Sequence, residues 1–130
     1  MPGPTLAVST SPWRRWASQL HFIVTDDGAT IDFTAAVNGG DDGLRYSDLV
    51  EVTDHDVMYL LTPAVQSVNV SYCSHLTDAS IAAVAGNCPK LAKLYVSDCR
   101  GLTDVSIAAV ARNCPKLASL KVTYCWQLTD

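Results

Sequence analysis

The sequence predicts an α/β solenoid made of stacked copies of one strand–helix unit. Three observations carry this. Cys73–Asp98 laid over Cys99–Tyr124 matches at 18 of 26 positions. The start of a further unit, CWQLTD at Cys125–Asp130, keeps the same 26-residue spacing. Within each unit the apolar period changes from two to that of a helix. A fixed repeat of this size marks stacked supersecondary units rather than one closed globule. Such stacks present long surfaces, and those surfaces bind.

The chain divides at residue 43. Residues 1–12 (MPGPTLAVSTSP) are small and proline-broken, the composition of a mobile tail, and Trp13-Arg-Arg-Trp16 follows. Two β-rich runs, His21–Thr25 and Ala29–Phe33, flank Asp26-Asp-Gly28, which predicts a hairpin-like cap over the first repeat. Asn38–Gly43 (NGGDDG) reads as a loop. Repeats then occupy 44–130, as units 44–67, 68–93 and 94–119 and a partial unit 120–130. In the first of these, Leu44 through Asp54 aligns without gaps on Leu94 through Asp104.

Each unit opens on a strand, near 68–72, 94–98 and 120–124, where Leu94, Val96 and Cys99 alternate. Helices follow near 79–86 and 105–112, with Ile107, Val110, Ala111 and Cys114 at helical spacing. Asp104, and Asp54 and Asp78 at the same place, are positioned as N-caps. Asn113-Cys-Pro115 ends the helix, since the residue before proline avoids the helical region.

The pattern LxVxxCxxLTDxSIxAVAxNCPKLxxL resembles the cysteine-containing type of leucine-rich repeat, best known from F-box substrate receptors of ubiquitin ligases and their relatives. The match is specific over 68–130 and looser over 44–67. The resemblance implies a curved solenoid with a parallel sheet on its concave face and helices on its convex face. The expected function is a noncatalytic protein-interaction module that uses this surface.

Composition agrees with a folded domain of 130 residues, 48% hydrophobic and 17% charged. A net charge of −4 argues against nucleic acid as partner. No apolar run reaches the roughly 18 residues a bilayer span needs. The five cysteines form two ladders at the repeat period, Cys73/Cys99/Cys125 and Cys88/Cys114, which predicts small buried free thiols rather than a metal motif. No metal or other cofactor is expected. Asn69-Val-Ser71 is formally a glycosylation sequon but falls within a predicted strand.

Ser74, His75 and Asp78 superficially offer a catalytic set. The same slots hold Arg100, Gly101 and Asp104 one unit on, and only the aspartate recurs. Sequence closeness supplies no triad geometry, so no enzyme activity is expected.

With Leu, Val and Cys turned inward, the concave face takes the rows Arg45/Asn69/Tyr95/Lys121, Ser47/Ser71/Ser97/Thr123 and Asp48/Tyr72/Asp98/Tyr124, with Trp126 beside them. Tyr72, Tyr95, Asp98, Lys121, Tyr124 and Trp126 are the expected partner contacts, because aromatic residues dominate binding hot spots. The end at 117–130, where a helix should begin, is expected to self-associate or dock on a partner, or to continue into a longer solenoid. The module is expected either in substrate recognition, in cytoplasm or nucleus, or as a subunit or assembly factor of a larger complex. For the second role, Trp13 and Trp16 ahead of few repeats resemble short mitochondrial leucine-rich-repeat proteins such as the ATP-synthase-associated factor B. The acid-free Arg14–Arg15 segment is compatible with a transit peptide.

Overall fold

The computed structural model describes residues 20–39, 45–123 and 125. The expectations for the N-terminal tail, Trp13, Trp16, Tyr124, Trp126 and the final turn lie outside these residues. Four short strands form one parallel sheet in chain order: β1 (Thr30–Asp32), β2 (Ser67–Asn69), β3 (Lys93–Tyr95) and β4 (Ser119–Lys121). The helices are α1 (Leu20–Ile23), α2 (Thr34–Gly39), α3 (Asp54–Leu60), α4 (Asp78–Asn87) and α5 (Asp104–Asn113), with a 3₁₀ segment at Tyr46–Glu51. This is the leucine-rich-repeat solenoid, a parallel sheet on one face and helices on the other.

The repeat period sets the register. Val68 pairs with Leu94 and Leu94 with Leu120, each 26 residues on. Alternate residues point inward, so Ile31, Val68 and Leu94 are fully buried while their strand neighbours face the open side. Leu76, Ile81, Val84, Leu91 and Leu102 fill the space between sheet and helices. At the outer end Leu120 is 39% exposed, where Leu94 is at 0%.

The strands end earlier than the period-two run predicts. Tyr72 and Asp98 take left-handed backbone, φ 71° and 60°, which turns the chain out of the sheet. The backbone ladder nevertheless runs on, with Tyr72 N–H donating to the Ser97 carbonyl and Asp98 N–H to that of Thr123, both at 2.8 Å.

Three expectations need correction. The hairpin is not formed: Leu20–Ile23 is a helical turn, and a single antiparallel bridge, Val24 to Ile31, is all that remains of it. The second arm is instead the first parallel strand, so the repeat sheet begins upstream of residue 44. Arg45 and Tyr46 therefore do not take a strand's place; the chain from Tyr46 to Glu51 is 3₁₀. Thr30 pairs with Ser67, 37 residues on, against 26 in later units, so the first unit carries 37 − 26 = 11 extra residues. Helix α2 lies in this longer stretch. The gapless alignment holds only from Leu49, which is buried like Cys99, through Asp54.

The third correction concerns the caps. Threonine, one residue before each aspartate, is the N-cap: Thr77 Oγ1 accepts from Ala79 N–H and Thr103 Oγ1 from Val105 N–H, both at 3.2 Å. The aspartate reaches across to the next unit instead. Asp54 accepts from Thr77 N–H (2.9 Å), Thr77 O–H (2.6 Å) and Ser80 O–H. Asp78 accepts from Thr103 N–H (2.8 Å), Thr103 O–H (2.5 Å) and Ser106 O–H. Burial works to raise both carboxyls, but the serine and threonine hydrogen bonds outweigh it and hold them below the usual carboxylate range. The thiols are all free and buried, as the ladders predict.

Candidate functional site

The open face of the sheet carries the side chains that alternate with the core: Asn69, Tyr95 and Lys121 at successive strand ends. Above them lies a tyrosine ridge. Tyr46 and Tyr72 meet with ring centroids 5.0 Å apart at 54°, an edge-inclined geometry that aromatic pairs favour. Both rings stay exposed, Tyr46 at 45% and Tyr72 at 42%. Tyr46 O–H donates to Asn38 Oδ1 at 2.8 Å, which anchors the ring to the loop-bearing first unit.

The ridge separates two hollows. One, of about 180 Å³, is floored by Asn69, Ser71 and Ser97 and walled by Tyr95 and Lys121. The other, of about 330 Å³, is bounded by Val50, Ser74, Asp98 and Arg100. In the second, Arg100 Nε donates to Asp98 Oδ1 at 3.1 Å, so its charges offset each other. In the first, Lys121 Nζ lies 5.5 Å from the Tyr95 ring centroid, within cation–π range. Ser119 O–H lies 3.3 Å from Tyr95 Oη and fixes the ring's outer end.

The backbone at Tyr72 is costly for a tyrosine. Left-handed φ is adopted readily by glycine and by asparagine or aspartate. Asp98 fills the equivalent place one unit on. Tyr72 has no such excuse, and a bulky residue held in this region points to a role for its ring.

Of the residues expected at the site, Tyr72, Tyr95 and Lys121 come together around one hollow, and Asp98 lies across the ridge in the other. Tyr124 and Trp126 fall outside the described residues. Tyr46 was missed, because the gapless alignment gave it an inward strand position. A tyrosine in a slot that otherwise holds valine, just after the glycine-rich NGGDDG loop, was the available signal.

The remaining chemistry is muted. Burial pushes the Cys99 thiol up to about 12 and that of Cys88 to about 11, and it raises Cys73 well above its ordinary value. Cys99 Sγ donates to the Val70 carbonyl at 3.1 Å and Cys125 Sγ to that of Val96 at 3.0 Å. Asp78, which the sequence sets near Ser74 and His75, is bound to Thr103 and Ser106 of the next unit.

No protein-family model and no curated protein matches the sequence. Among solved structures, a chain of the yeast Rad7 and Elc1 complex is similar at 24% identity with a TM-score of 0.58. The likeness covers 62% of this chain and 21% of that one, so it spans about a fifth of the neighbour's length. It supports the repeat fold. Among the described residues no helix is long and apolar enough to cross a membrane.

Proposed function

We propose that the chain is a noncatalytic protein-interaction module that binds its partner on the concave sheet face. The observation that carries this is the strained, exposed Tyr72 packed on Tyr46 at the strand-end edge of that face. A ring with so much free surface, kept at a backbone cost, gives large contact area with little further entropy loss on binding. The noncatalytic part of the reading is supported by thiols held protonated in the core and by an Asp78 already saturated with donors. The repeat pattern's resemblance to F-box receptors favours a substrate-recognition role within a ubiquitin-ligase receptor or relative, and five buried thiols suit the reducing cytoplasm or nucleus.

Affinity purification of the tagged chain, with the bait compared to a Tyr72→Asn, Tyr95→Ala variant, tests the reading. Asparagine keeps the left-handed turn, so the variant retains its fold. An F-box-class adaptor and a client should co-purify, and the variant should lose the client by about thirtyfold in affinity, the equivalent of about 2 kcal/mol at an aromatic hot spot. Enrichment of a mitochondrial membrane complex instead, or a client held equally by the variant, would overturn it.

A further inference from the structure

We infer that the hollow between Tyr95 and the tyrosine ridge accepts a carboxylate side chain of an extended acidic peptide segment in the partner. The inference rests on the concave-face reading above and adds the chemistry of what binds there.

Asn69 Oδ1 accepts from Ser71 N–H at 3.0 Å, so the amide's oxygen is engaged and its two N–H donors point elsewhere. Ser71 Oγ accepts from Ser97 N–H at 3.1 Å, which leaves the Ser71 proton to donate. Thus two backbone N–H groups, one in the same repeat and one in the next, take up these acceptors. What the floor of the hollow still offers is donors: the Asn69 amide and the Ser71 and Ser97 hydroxyls. Lys121 adds the charge. Its ammonium rests over the Tyr95 ring and is in no ion pair among the described residues.

The nearest acids lie away from the lysine. Asp32, in register with Asn69 on β1, keeps its charge, with Oδ1 accepting from Thr34 N–H and O–H at 2.9 and 2.5 Å, and stands three strands from Lys121. Asp98 is held by Arg100 on the far side of the ridge. On a chain of net charge −4 the hollow is therefore a local site for an anion. Hydrogen bonds from a cation and several neutral donors to a carboxylate are the stronger kind. An extended peptide places every second side chain on one face about 7 Å apart. One carboxylate can thus enter the hollow while the next same-side residue lies across the tyrosines.

Panning the immobilised full chain against a random dodecapeptide library tests this directly. Enriched peptides should carry Asp or Glu at a fixed position next to an apolar or aromatic residue. Their synthetic versions should bind at least tenfold more weakly when that acid is changed to its amide. Lys121→Gln should weaken binding at least tenfold, whereas Lys116→Gln, in the turn after α5, should leave it unchanged. Peptides without a fixed acid that still lose binding in Tyr72→Asn would overturn the acidic assignment and keep the concave-face reading. Peptides indifferent to Tyr72→Asn, or no enrichment at all, would overturn both. Displacement of the peptides by millimolar inorganic phosphate alone would identify a simple anion site and overturn the peptide assignment.

Discussion

The first unit and the two regular units solve one problem in different ways. In the three units whose helices are described, a threonine at the helix N-cap has an N–H that needs an acceptor. In the second and third units that acceptor is the aspartate of the preceding unit, Asp54 for Thr77 and Asp78 for Thr103. In the first unit Thr53 N–H donates to Asp56 Oδ2, at 2.9 Å, within its own helix. Asp56 stands where Ser80 and Ser106 stand later. The regular serine donates to the unit before it; the first unit's aspartate accepts from the unit it belongs to, as a capping box does. One change of residue type at N3 converts a joint between repeats into a self-contained start. Coupling along the stack is thus built from hydrogen bonds as well as from the apolar ladder.

Removing one aspartate of each kind should separate the two arrangements most strongly. Asp78→Ala leaves Thr103 N–H, Thr103 O–H and the fully buried Ser106 hydroxyl without their acceptor. A loss of about 3 kcal/mol is expected, since each buried orphan costs about 1–3 kcal/mol and water can reach some of them. Asp56→Ala orphans one N–H and should cost about 1 kcal/mol, a normal capping loss. Urea unfolding of both variants measures the difference, and equal losses would show that the two arrangements are energetically the same. The pH profile has a definite sign. Asp54 and Asp78 titrate lower folded than unfolded, so their contribution is complete above the unfolded value of 3.8 and is lost as pH falls through the folded ones. Asp78→Asn should therefore flatten the acid limb of stability below about pH 4.

A second contrast lies one residue before the leucine that recurs in each turn, at His75 and Gly101. His75 is exposed, and the unit before it is the irregular first one. Gly101 follows a regular unit, and a Cβ there would run into the Leu76 backbone carbonyl, which cannot swing aside as a side chain could. Gly101→Ala should cost about 2 kcal/mol, in the range of overpacked sites. A thermal midpoint equal to that of the parent would mean the two units separate freely, contrary to tight stacking.

What the sequence disclosed follows the same division. Units two and three repeat at a constant 26 residues, so each strand register and helix bound could be read from alignment alone. The first unit could not, because its 11 extra residues displace the strand while leaving the cap region in place. Ile31 and Phe33 already showed the inward alternation of Val68 and Val70, but the adjacent Asp-Gly made a hairpin the simpler reading. The cap was misplaced by one residue for a physical reason. Aspartate and threonine are both good caps, and only the position of the next unit shows that the carboxylate has a longer-range use. At the site, Tyr72 and Tyr95 were legible as surface rows, whereas the ridge was not, since Tyr46 arrives from the irregular unit.

The smallest expected effect concerns the thiol ladder. Cys99 is fully buried, and its Sγ reaches the Val70 carbonyl of the preceding unit. A hydroxyl in an apolar ladder without a partner would cost about 1–3 kcal/mol. Serine at 99 has a partner, because the same carbonyl can accept from Oγ after a small shift. Cys99→Ser should therefore lose about 1 kcal/mol or less, and Cys99→Ala, which gives up both the contact and the sulfur's volume, should lose more. Urea midpoints of the pair decide between two pictures of the repeat. If alanine is the milder change, the cysteines are merely small apolar fillers. If serine is, the Cys99 and Cys125 thiols are a second hydrogen-bonded tie from one unit to the next, set on the sheet side of the core as the aspartates are set at the helix starts.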